Sequence, residues 1–250
     1  MYSSIGTVVS PIPLFEPLLS LPPAVKRAFA SDLRLATKQS SQLGAGGDLF
    51  EVFDHGDGRI SAMLADVCGH GAAAAPLATR LSPILHCALA RDESPGRALV
   101  ILNDGLCSDG LLDRFVTAVA VRIDVLTGLV EIACAGHMGP FLRSAGGRVQ
   151  ALNRATGVPL GLLARERYTE ISLVLEPDDV LVLVTDGITD PLSTVVDPLG
   201  EAGLLRRLKS ARHTTPAICQ ALLVDGTHPR DDATVLAVQM PARNVARVAA

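Results

Sequence analysis

Hydrophobic and polar positions alternate with two different periods along this chain, and the switches between them mark its elements. "LRLATKQ" (33–39), "GDLFEVFDH" (47–55) and "RISAMLAD" (59–66) carry the two-residue period of strands, and Asp57-Gly58 between the last two is a hairpin turn signal. The period then lengthens. In "AAAAPLATRLSPILHCALAR" (72–91), Leu77, Leu81, Ile84, Leu85, Ala88 and Leu89 recur at helical spacing, and Pro83 predicts a kink. "SPGRALVILNDGL" (94–106) predicts a second helix, with Ser94 at its N-cap and Pro95 at the first position. From residue 114 strands return: "RFVTAVAVRIDV", a Thr127-Gly128 turn, "LVEIACAG", then "GPFLRSAGGRVQAL" with a Gly146-Gly147 turn, which together predict an antiparallel meander. "YTEISLVLE" and "DVLVLVTDG" flank the turn "EPDD"; "LGEAGLLRRLKSA" and "AICQALLVDG" read as helices, and "ATVLAVQM" as a final strand.

Strands in consecutive hairpins, with helices in separate blocks, predict an α+β fold in which helices cover antiparallel sheets; alternating βαβ units, and with them a simple dinucleotide-binding fold, are excluded. At 250 residues, with no internal repeat or low-complexity linker, a single core is the economical reading. The expected organisation is a proline-punctuated, irregular or docking leader over 1–30, with a short helical stretch in "AVKRAFASD", then one domain over 31–241 and a tail over 242–250.

Charge and cysteine content narrow the function classes. The net charge is −4 and the basic residues are scattered, so no phosphate-tracking patch points to nucleic acid. Five cysteines without a C-x-x-C pair read as reduced thiols rather than a disulfide framework or a zinc site, and no run reaches the roughly 18 apolar residues of a membrane span. The expectation is a cytoplasmic protein.

The candidate chemistry lies in four acidic motifs that share a grammar: "GGD" (Asp48), "ADVCGHG" (Asp66), "LVTDG" (Asp186) and "RDDAT" (Asp231, Asp232). Each sets an Asp at the end of an apolar strand. One such motif alone is a turn; all of them on successive strand ends can converge at one rim of a sheet. Converging carboxylates repel one another unless cations neutralise them, and an all-oxygen set without Cys or His selects Mg²⁺, Mn²⁺ or Ca²⁺ over zinc. Two such ions activate water and clamp a phosphoryl group. Glycines beside the Asp residues let a phosphate approach the backbone.

Taken in order, "GGDLFEVF", "LADVCGHGAAAA", "FVTAVAVRIDVLTGLVEIACAGHMGPFL", "GVPLGLL", "LVLVTDGITD" and "DDATVLAVQ" resemble the bacterial SpoIIE/RsbU-type serine phosphatases, a branch of the PPM (type 2C) metal-dependent protein phosphatases. The resemblance covers about residues 30–240. It implies a four-layer α-β-β-α sandwich, two antiparallel sheets flanked by helices, and hydrolysis of phosphoserine or phosphothreonine by a water bridging two Mn²⁺ or Mg²⁺ ions. Carried over residue by residue, Asp66 matches the bridging ligand and Val67 a backbone-carbonyl ligand. Asp186 and Asp231 match ligands of one metal, and Asp48 the acidic residue that holds metal-bound waters; the family motif ranks Asp231 above Asp232. Cys68 stands where eukaryotic relatives carry a histidine; His70 is a candidate for the leaving oxygen or the phosphate, and His137 for ordering the meander. A cysteine-nucleophile phosphatase is disfavoured, because "CGHGAAAAP" has no arginine close behind Cys68.

The same resemblance implies a phosphorylated protein partner, a STAS-domain anti-sigma factor antagonist; control is expected from an activating regulator docking on the leader over 1–30, or from expression. Two other readings use the same fold or chemistry: a catalytically silent regulatory binding module, and a two-metal phosphohydrolase acting on a nucleotide or small phosphate ester.

Overall fold

The Asp57-Gly58 hairpin forms where the pattern places it. In the computed structural model, which describes residues 8–10, 34–40, 46–69, 74–91, 93–108, 114–153, 156–189, 200–223 and 232–242, strand β3 (Asp48–Asp54) turns through Gly56 and Gly58 into β4 (Arg59–Val67). Both glycines adopt positive φ, +79° and +93°, which a tight return demands and a Cβ resists. The remaining strands are β1 (Val8–Ser10), β2 (Arg34–Ser40), β5 (Val116–Asp124), β6 (Leu129–Ala135), β7 (Phe141–Arg143), β8 (Val149–Ala151), β9 (Glu170–Val174), β10 (Val180–Val184) and β11 (Ala233–Gln239). Four helices are described: α1 (Ala75–Ala90), α2 (Pro95–Ser108), α3 (Gly200–Ser210) and α4 (Thr215–Leu222).

Every pairing between these strands is antiparallel, in two sheets ordered β1-β2-β11-β10-β7-β8 and β3-β4-β5-β6-β9. Alternation along each strand divides its side chains between two faces, and three apolar clusters result. On β4 and β5, Met63, Ala65, Ala118 and Ala120 pack outward against Leu81, Leu85, Leu99 and Leu102 of α1 and α2. The intervening Leu64, Val119 and Val121 meet Leu181, Leu183, Leu236 and Val238 of the other sheet. That sheet's far face, with Val182 and Val235, is covered by Leu204, Leu208, Ile218 and Leu222 of α3 and α4. The expected α+β, four-layer α-β-β-α sandwich is the observed architecture.

The departures are local. Helix α1 is continuous from Ala75 to Ala90 with the exposed Pro83 inside it. The predicted meander splits: β6 pairs with β9, while the β7–β8 hairpin joins the opposite sheet through β10. Ser94 stands at the N-terminus of α2, but the carboxylate that caps this helix comes from β9. Glu170 Oε1 accepts from Gly96 N–H at 2.7 Å and from the Ser94 hydroxyl. The helix expected in "AVKRAFASD" lies outside the described residues.

Candidate metal centre

The register of the first hairpin places Asp48 directly opposite Asp66 at the open end of β3 and β4. On an antiparallel pair such neighbours hold their Cβ atoms about 5 Å apart, and like charges in that position repel. Both lie on the face that looks at the second sheet, since Leu64, two residues before Asp66, is part of the inter-sheet core. From the opposite sheet, Thr185 follows the inward-facing Leu183 of β10, and Thr234 precedes the inward-facing Leu236 of β11.

The two threonines take hold of Asp48. Thr185 Oγ1 donates to Asp48 Oδ2 at 2.8 Å and Thr234 Oγ1 donates to the same oxygen at 2.6 Å. Thr185 Oγ1 also accepts the Thr234 N–H at 2.9 Å, so each hydroxyl proton is steered toward the carboxylate. Asp48 is 6 % exposed. Burial, with the like charges of Asp232 and Asp186 in reach, pushes its carboxyl up to about 7 against the lowering pull of the Thr234 and Thr185 hydrogen bonds. An added cation would reverse that balance.

Asp186 opens a 3₁₀ turn, Asp186–Ile188, directly after β10, and its side chain is exposed. Gly47 provides a cradle on the other side of the rim: a Cβ there would lie 2.9 Å from the Val67 carbonyl oxygen and 3.5 Å from Asp66 Oδ1. The Ala74 methyl would lie 3.1 Å away as well, so the position is closely packed; the carbonyl and carboxylate oxygens beside it are donors suited to a hard divalent cation. Among the described residues no three carboxylate, histidine or cysteine groups stand in a metal-holding arrangement.

Of the residues singled out in the sequence, Asp48, Asp66, Val67 and Asp186 therefore share one rim, drawn from both sheets. Asp231 and His70 lie outside the described residues. Asp232 is buried at the entry to β11, and its Oδ2 accepts the Gly47 N–H at 2.6 Å. Cys68 pairs with Phe115: its Sγ accepts the Phe115 N–H at 3.2 Å, and its own N–H donates to the Phe115 carbonyl. His137 is buried, its Nδ1–H donating to the Met138 carbonyl at 2.9 Å, which is an ordering contact in the β6–β7 connection. Thr185 and Thr234, which hold Asp48, are positions that the motif reading passed over. Each falls in phase with the inward-facing residues of its strand, which gives the face but not the partner across from it.

Comparison with known proteins bears on the family and the fold. Residues 56–241 match the family described as Stage II sporulation protein E (SpoIIE). The phosphoserine phosphatase RsbP of Bacillus subtilis is 29 % identical over 159 residues, 62 % of this chain and 39 % of RsbP, so the chain spans well under half of that relative. Among solved structures, the PP2C phosphatase domain of Bacillus subtilis SpoIIE, with a fragment of its regulatory domain, superposes with a TM-score of 0.72 at 20 % identity, covering 83 % of this chain and 63 % of that one. The catalytic domain of the serine/threonine phosphatase PstP, solved with two manganese ions, superposes with a TM-score of 0.59 at 17 % identity, covering 83 % and 98 %.

Proposed function

The chain belongs to the SpoIIE family, and from that membership and the rim geometry we propose that it is a divalent-metal-dependent phosphatase of phosphoserine or phosphothreonine in proteins. The observation that carries the reading is the pairing of Asp48 with Asp66 across the first hairpin, with Asp186 of the other sheet near enough to raise the Asp48 carboxyl. Asp66, the Val67 carbonyl, Asp186 and Asp231 would hold two Mn²⁺ or Mg²⁺ ions, with Asp48 holding their waters. Ions bound there would ease loss of a proton from water, making it nucleophilic near neutral pH, and would neutralise charge on the phosphoryl oxygens.

The chain's own part is preorganisation. Two hydroxyls fix the rotamer of Asp48 before any ion arrives, so its orientation costs nothing at the moment of reaction. The sheet pairing fixes the spacing of Asp48 and Asp66 in the same way. Cys68, with its sulfur engaged by the Phe115 amide, is a structural thiol rather than a nucleophile.

For the substrate, the resemblance supports a phosphorylated STAS-domain anti-sigma factor antagonist, and the relative named as a phosphoserine phosphatase supports phosphoserine as the group attacked. Five cysteines without a disulfide support a reducing cytoplasm, and among the described residues no helix is long and apolar enough to cross a membrane.

The test is hydrolysis of p-nitrophenyl phosphate and of a phosphorylated STAS-domain protein, with and without millimolar Mn²⁺, in wild type, Asp66→Asn and Asp186→Asn. The expected result is Mn²⁺-dependent turnover that falls at least about a hundredfold in both variants. Turnover indifferent to Mn²⁺, or unchanged in Asp186→Asn, defeats the proposal. Silence in wild type together with undetectable Mn²⁺ binding would favour the silent binding module instead.

A further inference from the structure

The rim contains one buried carboxylate to which the proposed chemistry gives no part. Asp232 is 5 % exposed and stands immediately before β11. Its Oδ2 accepts the Gly47 N–H at 2.6 Å, a short charge-assisted bond to the peptide just ahead of Asp48. The neighbouring segments are shaped to admit it. A Cβ on Gly46 would fall inside the Asp232 carboxylate, and a Cβ on Gly187 would fall on the Asp232 main-chain carbonyl. Asp232 is therefore wedged between the segment that leads into Asp48 and the segment that follows Asp186.

The contact continues through Gly47. Its N–H is held by Asp232, and its carbonyl accepts the Val67 N–H at 3.2 Å. Two successive hydrogen bonds thus run from the β11 entry in one sheet, through the Gly47 residue, to the end of β4 in the other. The far end is the residue whose own carbonyl faces the Gly47 cradle.

We infer that Asp232 is a positioning residue that clamps Gly47 and thereby sets the Val67 carbonyl and Asp66 at their working distance from Asp186, rather than a metal ligand itself. The inference rests on the phosphatase reading, because the distance it sets matters only if cations bind there. Asparagine separates the two roles. Its amide oxygen can still accept the Gly47 N–H, while the charge that a ligand supplies is gone.

The experiment measures Mn²⁺ binding by isothermal titration calorimetry and Gly47 amide exchange by NMR, on the whole chain, in wild type, Asp232→Asn, Asp232→Ala and Asp186→Asn. Asp232→Asn is expected to bind Mn²⁺ within about threefold of wild type and to keep Gly47 protected. Asp232→Ala is expected to bind about tenfold or more weakly, with faster Gly47 exchange. Asp186→Asn should lose binding with Gly47 protection unchanged. Where Asp232→Ala does not fold, Gly46→Ala, which drives a methyl into the carboxylate, is expected to reproduce its weakened binding. Asp232→Asn falling to the level of Asp186→Asn would make Asp232 a ligand and overturn the inference, as would Asp232→Ala binding like wild type. Wild-type protein that binds no Mn²⁺ overturns the phosphatase reading and this inference with it, a failure distinct from wild type and Asp232→Ala binding equally well.

Discussion

Thr185 and Thr234 grip one oxygen of a carboxylate that is almost wholly buried, and each such bond to a charged group contributes roughly 1.5–3 kcal/mol. Asp48 and Asp186 stood out as candidates because an Asp beside glycine at the end of an apolar strand is a local pattern, and Asp66 because it ends such a strand; Asp231 lies outside the described residues. The threonines did not stand out, because their role depends on which strand of the second sheet lies across from Asp48. His137 is the residue whose environment makes a pH prediction. Burial holds its imidazole below the ordinary value of 6.5, and the Nδ1–H bond to Met138 pulls the other way without prevailing. The folded state therefore prefers the neutral ring, and the unfolded chain takes up a proton first as pH falls. Stability is full above the ordinary imidazole range and declines as pH drops below 6.5, until the folded protein is protonated too. Melting temperatures followed from pH 8 to 5 are expected to show a shallower decline in His137→Asn than in wild type. An identical decline in both would remove His137 as its source.

At the scale of single elements, the hydrophobic periods located the described strands from β2 onward and the helices, because face alternation and helical spacing are consequences of local geometry, but they missed β1 within the leader. They also missed partners far along the chain. Ser94 and Pro95 announce the start of α2, yet the acceptor at that terminus is Glu170, 76 positions beyond Ser94, reached only because β9 is the edge strand beside β6. Glu170 satisfies one of the orphan amides of the first turn and sets a negative charge at the positive end of the helix. Glu170→Ala should lower stability by about 1 kcal/mol in chemical denaturation, with Ser94→Ala costing less because Gly96 N–H keeps its acceptor. A Glu170→Ala protein as stable as wild type would mean that water caps α2 equally well.

For the molecule as a whole, alternation tells which face of a strand is buried but not which sheet receives the strand. So the α+β class and its helical covers were legible, whereas the transfer of β7 and β8 to the sheet of β10 was not. That partition decides the site. The two sheets press together through an apolar core, Leu64, Val119 and Ile132 against Leu181, Leu183 and Leu236, and at one end this core gives way to Asp48, Asp66, Asp186 and Asp232. Without a cation that end concentrates like charge between two layers that the core holds close, so the rim opposes the packing behind it. A divalent ion shared between the β4 end and the β10 end would turn the opposition into a tie. Binding to the folded state alone stabilises by mass action, about 2.7 kcal/mol at a hundred times the dissociation constant. For a domain of this size that corresponds to a rise of roughly 5–10 °C in melting temperature. Wild type should therefore melt higher as Mn²⁺ is added, return to its starting value with a chelator, and do so in a single transition if the ion links both sheets. Asp186→Asn, which removes the contribution of β10 and leaves the Gly47 cradle intact, should flatten the response. A wild-type melting temperature that does not move across saturating Mn²⁺ would sink the idea that a cation joins the two sheets.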